Sequence, residues 1–178
     1  INRADYIAKL SAKSWNGKVK IITGIRRCGK SFLLSVLFKQ HLIETGVTED
    51  SFIEFDLEKR RDVKYRNPNV LYDYVVKKSS DMGKRYYVFI DEIQLSYRVK
   101  STDIDEKSVP EEDRELLYTT FYDVLNDLMG HPNLDVYVTG SNSKMLSTDI
   151  VTNFRDRGSE IRVYPLSFKE FCQTKELD

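Results

Sequence analysis

Apolar residues gather in five short runs: KVKIITGI (18–25), SFIEFDL (51–57), RYYVFIDEI (85–93), LDVYVTGS (134–141) and SEIRVYPL (159–166). Each is rich in β-branched and aromatic residues, the pattern of strands buried on both faces. Between them the apolar positions take helical spacing. KSFLLSVLFKQHLIETG runs to Gly46, and NPNVLYDYVVKKSSDMG opens on an Asn-Pro start and runs to Gly83. EEDRELLYTTFYDVLNDLMG carries acids in its first turn and runs to Gly130, and SNSKMLSTDIVTNFRDRG runs to Gly158. NRADYIAKLSAKSW predicts a short helix before the first strand. Strand and helix therefore alternate four times, which predicts an α/β fold with a largely parallel sheet covered on both faces. One polar connection, 95–113, has no apolar periodicity and reads as a mobile surface insertion.

The junction of the first strand with its helix, TGIRRCGKSF (23–32), has the form G-x-x-x-x-G-K-S. A strand before it and a helix after it are the surroundings that a phosphate-binding P-loop requires. Gly24 and Gly29 permit turns that aim successive backbone N–H groups inward, and the helix start adds the positive end of its dipole. The backbone from Gly24 through Ile25, Arg26, Arg27, Cys28, Gly29, Lys30 and Ser31 to Phe32 is the predicted cradle. The backbone does the binding there, so the side chains of Arg26, Arg27 and Cys28 are expected to face away from phosphate. Lys30 would reach the β- and γ-phosphates of a nucleotide, and the Ser31 hydroxyl would bind Mg²⁺.

Three further motifs end later strands or helices. In YYVFIDEIQ, Asp91 and Glu92 fall at the carboxyl end of a strand, the side of a parallel sheet that faces the ligand crevice. Asp91 is the candidate Mg²⁺ acid, and Glu92 the candidate to orient and activate water. In VYVTGSNS, Thr139, Ser141 and Asn142 can hydrogen-bond the γ-phosphate or the attacking water; Asn142 or Ser143 can equally cap the next helix. In FRDRGSE, Arg155 or Arg157 can reach a γ-phosphate, or simply complement a helix C-terminus.

Composition narrows the partners. The 178 residues hold 28 Lys+Arg against 28 Asp+Glu, so no global charge excess argues for nucleic acid or an anionic membrane. The basic run EKRRDVKYR (58–66) reads as a solvated loop on that ground. No apolar run approaches a membrane span, and the two cysteines form no C-x-x-C, which together predict a reduced, cytoplasmic setting. His41 and His131 stand apart with no ligand-like neighbours, which argues against a zinc site. Guanine recognition by N-K-x-D is missing, which argues against a GTPase. In SFKE, Ser167 and Glu170 have capping-box spacing close to the last residue. The expectation is a single core spanning 1–178, the N-terminal part of a longer protein.

Taken in order, GIRRCGKS, FIDEIQ, VYVTGSNSKMLS and RGSEIRVYPLSFKEF resemble the AAA+ branch of P-loop ATPases, and within it a bacterial and archaeal group of predicted ATPases. The resemblance spans about Val19 to Phe171. It implies a three-layer αβα sandwich on a five-stranded parallel sheet of order 5-1-4-3-2, with a lid and a C-terminal domain outside this chain. It implies ATP and Mg²⁺ as ligands and hydrolysis coupled to conformational change, or alternatively a slow-turnover switch. Lys30 and Ser31 match the P-loop lysine and hydroxyl, Asp91 the metal acid and Glu92 the hydrolytic glutamate. Ser141 or Asn142 matches the sensor, and Arg157 the arginine finger. A protein or DNA partner met through the further domains, and a homo-oligomer, complete the picture; no membrane enters it. The adenine pocket is unmarked, with Tyr6 the guess.

Overall fold

The computed structural model describes residues 3–141, 158–168, 170 and 171. Five strands, β1 (Val19–Gly24), β2 (Phe52–Asp56), β3 (Tyr86–Asp91), β6 (Leu134–Ser141) and β7 (Gly158–Arg162), form one parallel sheet. Its order is β2-β3-β6-β1-β7, which, counting only these five strands along the chain, is 2-3-4-1-5, the reverse reading of 5-1-4-3-2. The remaining two, β4 (Val99–Lys100) and β5 (Tyr118–Thr119), pair antiparallel as a separate ribbon.

Strand alternation sorts the apolar side chains to two faces, and each face has its own helices. Val88, Ile90, Val136 and Val138 pack with Leu71 and Val75 of α3 (Pro68–Lys78) and with Val124, Leu125 and Leu128 of α4 (Phe121–Met129). Tyr87, Phe89 and Tyr137 pack on the other face with Leu10 of α1 (Ala4–Lys13) and with Leu33, Leu34, Phe38 and Leu42 of α2 (30–44). Helix α2 is built of three consecutive pieces, Lys30–Phe32, a π-helical Leu33–Phe38 and Lys39–Glu44. The result is the three-layer α/β arrangement.

Several boundaries differ from the sequence reading. The helix expected over 111–130 begins only at Phe121, where Thr120 and Asp123 form a capping box. Residues Glu111–Leu117 are 3₁₀ turns, and Tyr118 and Thr119 are held by the ribbon, so the 95–113 insertion is partly paired. Helix α3 stops at Lys78 rather than near Gly83, because Asn133 Nδ2 donates to the Ser79 carbonyl at 2.9 Å. The basic run is not simply a solvated loop: Arg60–Arg66 is 3₁₀-helical and buries Asp62 and Tyr65. The helix expected over 141–158 lies outside the described residues beyond Ser141. The predicted capping box at SFKE is present: Ser167 N donates to Glu170 Oε2 at 2.7 Å and Glu170 N to Ser167 Oγ at 3.2 Å.

Candidate functional site

Parallel register brings the polar strand ends to one edge. Gly24 lies beside Ser141, Thr23 beside Gly140, and Ile90 beside Val138, so Asp91 emerges level with Thr139. The loop from Gly24 to Gly29 then leads into α2 at this carboxyl edge.

The loop's glycines have distinct jobs. A Cβ on Gly24 would sit 2.4 Å from the Val163 carbonyl oxygen and 2.7 Å from Cys28 Sγ, so no side chain fits there. Gly29 precedes the helix with φ +91°, a left-handed conformation that glycine adopts without a Cβ penalty. Arg27 is also left-handed, at φ +66°, where a non-glycine residue is uncommon. Cys28 is buried, whereas Ile25, Arg26 and Arg27 are exposed. Arg26 approaches Glu58 at 3.9 Å. The side chain of Lys30 is folded back over the loop, with Nζ donating to the carbonyls of Gly24 at 3.2 Å and Ile25 at 3.1 Å. Among the described residues no carboxylate pairs with it.

Ser31, Phe32, Ser35 and Val36 of α2 share one cleft with Asp56 of β2 and Asp91 of β3, and Lys59 and Arg61 also line it. Ser31 and Asp91 thus face the same space. Among the described residues no cluster of three or more His, Cys, Asp or Glu side chains stands ready for a metal. Mg²⁺ takes one or two protein oxygens and completes its shell with waters and phosphate. The hydroxyl of Ser31 and the carboxylate of Asp91 are such a donor set.

Thr139 has a different place from the one its motif suggested. It is fully buried, and its hydroxyl donates to Asp91 Oδ1 while accepting from Glu92 N at 3.0 Å. Both hydroxyl functions are therefore used inside the protein, and Thr139 positions the acidic pair rather than facing a ligand. Glu92 itself is left-handed at φ +55°, ψ 49°, where the chain turns from β3 into the 3₁₀ segment Ile93–Leu95. Such a conformation costs on the order of 1 kcal/mol in a non-glycine residue and persists where neighbours fix it. The amide of Gln94 donates to Glu92 Oε2, and Gln94 Oε1 is buried without a partner among the described residues. Sequence reasoning passed over Gln94; its place two residues after the acid, in FIDEIQ, was the available signal. Ser141 is half-buried beside Gly24. Asn142, Arg155 and Arg157 lie outside the described residues. Tyr6 lies across the first turn of α1, with the Arg3 guanidinium over its ring and its hydroxyl accepting from Tyr164 N at 3.2 Å.

The model of a family described as "AAA domain" matches residues 16–172. An uncharacterized protein of Haemophilus influenzae is 27% identical over 178 residues, covering 100% of this chain and 39% of its own length. Another uncharacterized protein, of Methanocaldococcus jannaschii, is 29% identical over 164 residues, covering 90% of this chain and 30% of itself. The chain therefore spans well under half the length of these relatives. Among solved structures, Saccharomyces cerevisiae Hsp104 in complex with casein aligns with a TM-score of 0.59 at 16% identity, over 99% of this chain and 29% of that one. A DNA polymerase III gamma subunit-related protein of Thermotoga maritima aligns at 0.55 and 12% identity, over 98% and 50%. At these identities the structures establish the shared fold. No helix among the described residues is long and apolar enough to cross a membrane.

Proposed function

The chain belongs to the AAA domain family, and from that premise we propose that it binds and hydrolyses ATP at the carboxyl edge of the sheet. One observation carries this reading: Ser31, at the start of the helix that the glycine loop leads into, shares one cleft with Asp91, and a single buried hydroxyl ties Asp91 to Glu92.

Each residue then has a physical task. Backbone N–H groups from Gly24 to Phe32, at the start of α2, hold the phosphate chain by hydrogen bonds and the helix dipole. Lys30 leaves the carbonyls of Gly24 and Ile25 for phosphate oxygens, exchanging neutral acceptors for charged ones. Ser31 and Asp91 would hold Mg²⁺, which would neutralise phosphate charge when bound. Glu92 orients a water and accepts its proton as the water attacks the γ-phosphorus. Ser141 or Asn142 hydrogen-bonds the γ-phosphate or that water. Arg157 stabilises developing charge, in its own subunit or a neighbouring copy. Turnover drives rearrangement of further domains or of a protein or DNA partner.

The contact between Gln94 and Glu92 favours a second reading, a nucleotide-dependent switch with slow turnover, because the proposed base is already engaged by an amide. Phosphate release by the full chain, compared with Lys30→Ala and Glu92→Gln, tests the assignment. Glu92→Gln is expected to lower turnover by roughly 10²- to 10⁴-fold while retaining ATP binding; Lys30→Ala loses both. Equal phosphate release by all three proteins overturns the site. ATP occupancy in the unmodified chain, with turnover near that of Glu92→Gln, selects the switch.

A further inference from the structure

Arg3 precedes α1 and lies outside the family match, and nothing in the mechanism above uses it. It is nonetheless buried, and its guanidinium is satisfied from three directions. Nη1 donates to the Cys28 carbonyl at 3.1 Å, Nη2 to the Tyr164 carbonyl at 3.0 Å, and Nε lies 3.3 Å from Glu170 Oε1. The ring of Tyr6 lies beneath it at 5.3 Å. A buried arginine is stable only when paired and bonded in this way, and its planar fork fixes the relative position of its partners. The partners here are the glycine loop and the segment that follows β7.

We infer that Arg3 is a positioning residue that sets the Gly29 amide of the phosphate cradle and links that cradle to the segment after β7. The argument starts from one peptide unit. Cys28 C=O and Gly29 N–H belong to the same planar trans peptide and so point in opposite directions. Holding the carbonyl on Arg3 turns the Gly29 N–H away from Arg3, and Gly29 is the residue that opens α2. The same guanidinium holds Tyr164 and, through Glu170, the capping box with Ser167. A phosphate that draws on the Gly29 amide pulls on this peptide, and the pull reaches residues 163–168 through one rigid group. The inference rests on the nucleotide reading of the loop and adds a route by which occupancy is sensed in the segment after β7.

The test uses the full chain, a fluorescent ATP analogue, and the variants Arg3→Ala, Arg3→Lys and Lys30→Ala. Lysine keeps the charge but cannot make the three-way contact. Arg3→Lys is expected to weaken analogue binding about tenfold, as loss of charge-assisted bonds implies, with Arg3→Ala at least as weak. Amide exchange in 163–168 slows on nucleotide binding in the unmodified chain and does not respond in Arg3→Lys. Should Arg3→Ala not fold, Arg3→Lys carries the comparison. The inference is overturned if Arg3→Lys binds within twofold of the unmodified chain, or if its 163–168 exchange still responds to nucleotide. Lys30→Ala separates the two levels. If it binds as tightly as the unmodified chain, the nucleotide reading fails and the inference with it; if only Lys30→Ala loses binding, the inference alone fails.

Discussion

The two ends of this sheet use the same kinds of side chain for opposite purposes. At the amino end Lys20 is fully buried and bonded to Asp135 Oδ1. Asp135 Oδ2 accepts from Tyr137 Oη at 2.8 Å and Trp15 N at 3.0 Å, and Tyr137 Oη meets Ser14 Oγ at 2.8 Å. At the carboxyl end Lys30, Asp91 and Thr139 are again a buried lysine, acid and hydroxyl. There, however, among the described residues the lysine meets two backbone carbonyls and no carboxylate, and the acid faces a cleft. One end completes its charges from within, and the other leaves them for something else to complete. Burial lowers the Lys20 ammonium below its usual range, partly countered by Asp135, and the same burial beside Asp135 pushes the Tyr137 phenol far up. The pair thus fixes α1 and the residues after it against the sheet at a real desolvation cost.

The largest effect should come from removing one lysine at each end. Asp135 is left as an uncompensated buried acid in Lys20→Met, which is expected to destabilise the chain by about 3–5 kcal/mol. Lys30→Met should change stability by about 1 kcal/mol or less, since the two carbonyls it releases retain other means of solvation, and functional sites often trade stability for activity. Urea unfolding of both proteins reads the contrast. Equal losses would mean that Lys30 serves the fold as Lys20 does.

Thr139→Val probes where the two purposes meet, because Thr139 is as buried as Lys20 yet its hydroxyl bonds to the candidate acids. Valine keeps the shape and strands the Glu92 amide, so a loss of about 1–3 kcal/mol is expected. Turnover should fall further than that loss of folded protein explains, and Thr139→Ser should restore most of it. A variant that is destabilised with turnover per folded molecule unchanged would place Thr139 with the amino-end network.

The same contrast explains what was legible in the sequence. The near-continuous apolar runs in VYVTGS and YYVFID are imposed by burial on both faces, so these strands were readable to within a residue or two, whereas the run 159–166 stays a strand only to Arg162. The loop was readable because Gly24 and Gly29 are needed for backbone geometry that no other residue supplies as well. Thr139 was misread because a hydroxyl at a strand end looks the same whether it faces a ligand or a neighbouring acid; register with Asp91 decides it, and register is a property of the sheet. Arg3 and the Lys20–Asp135 pair join residues more than a hundred positions apart or across the fold, and no spacing rule marks them. The helix expected over 111–130 failed because Thr120 and Asp123 made a better start nine residues in.

The smallest effect concerns Glu170, the acid that meets Arg3 beyond the carboxyl end. Its carboxyl is held below the usual value of 4.5, first by the Ser167 backbone N–H and Ser167 hydroxyl, against a little burial, and then by the Arg3 charge. A depressed carboxyl stabilises the folded chain fully above its unfolded value, and that contribution is lost as pH falls through the lower folded value. The contact is partly exposed, so about 0.2–1 kcal/mol is expected. Urea unfolding of the unmodified chain and Glu170→Gln should therefore differ by that amount at pH 7, and the gap should close below about pH 4.5. A Glu170→Gln gap that is flat across this window would mean that glutamine replaces both the cap and the Arg3 contact, leaving Arg3 held by its two carbonyls alone.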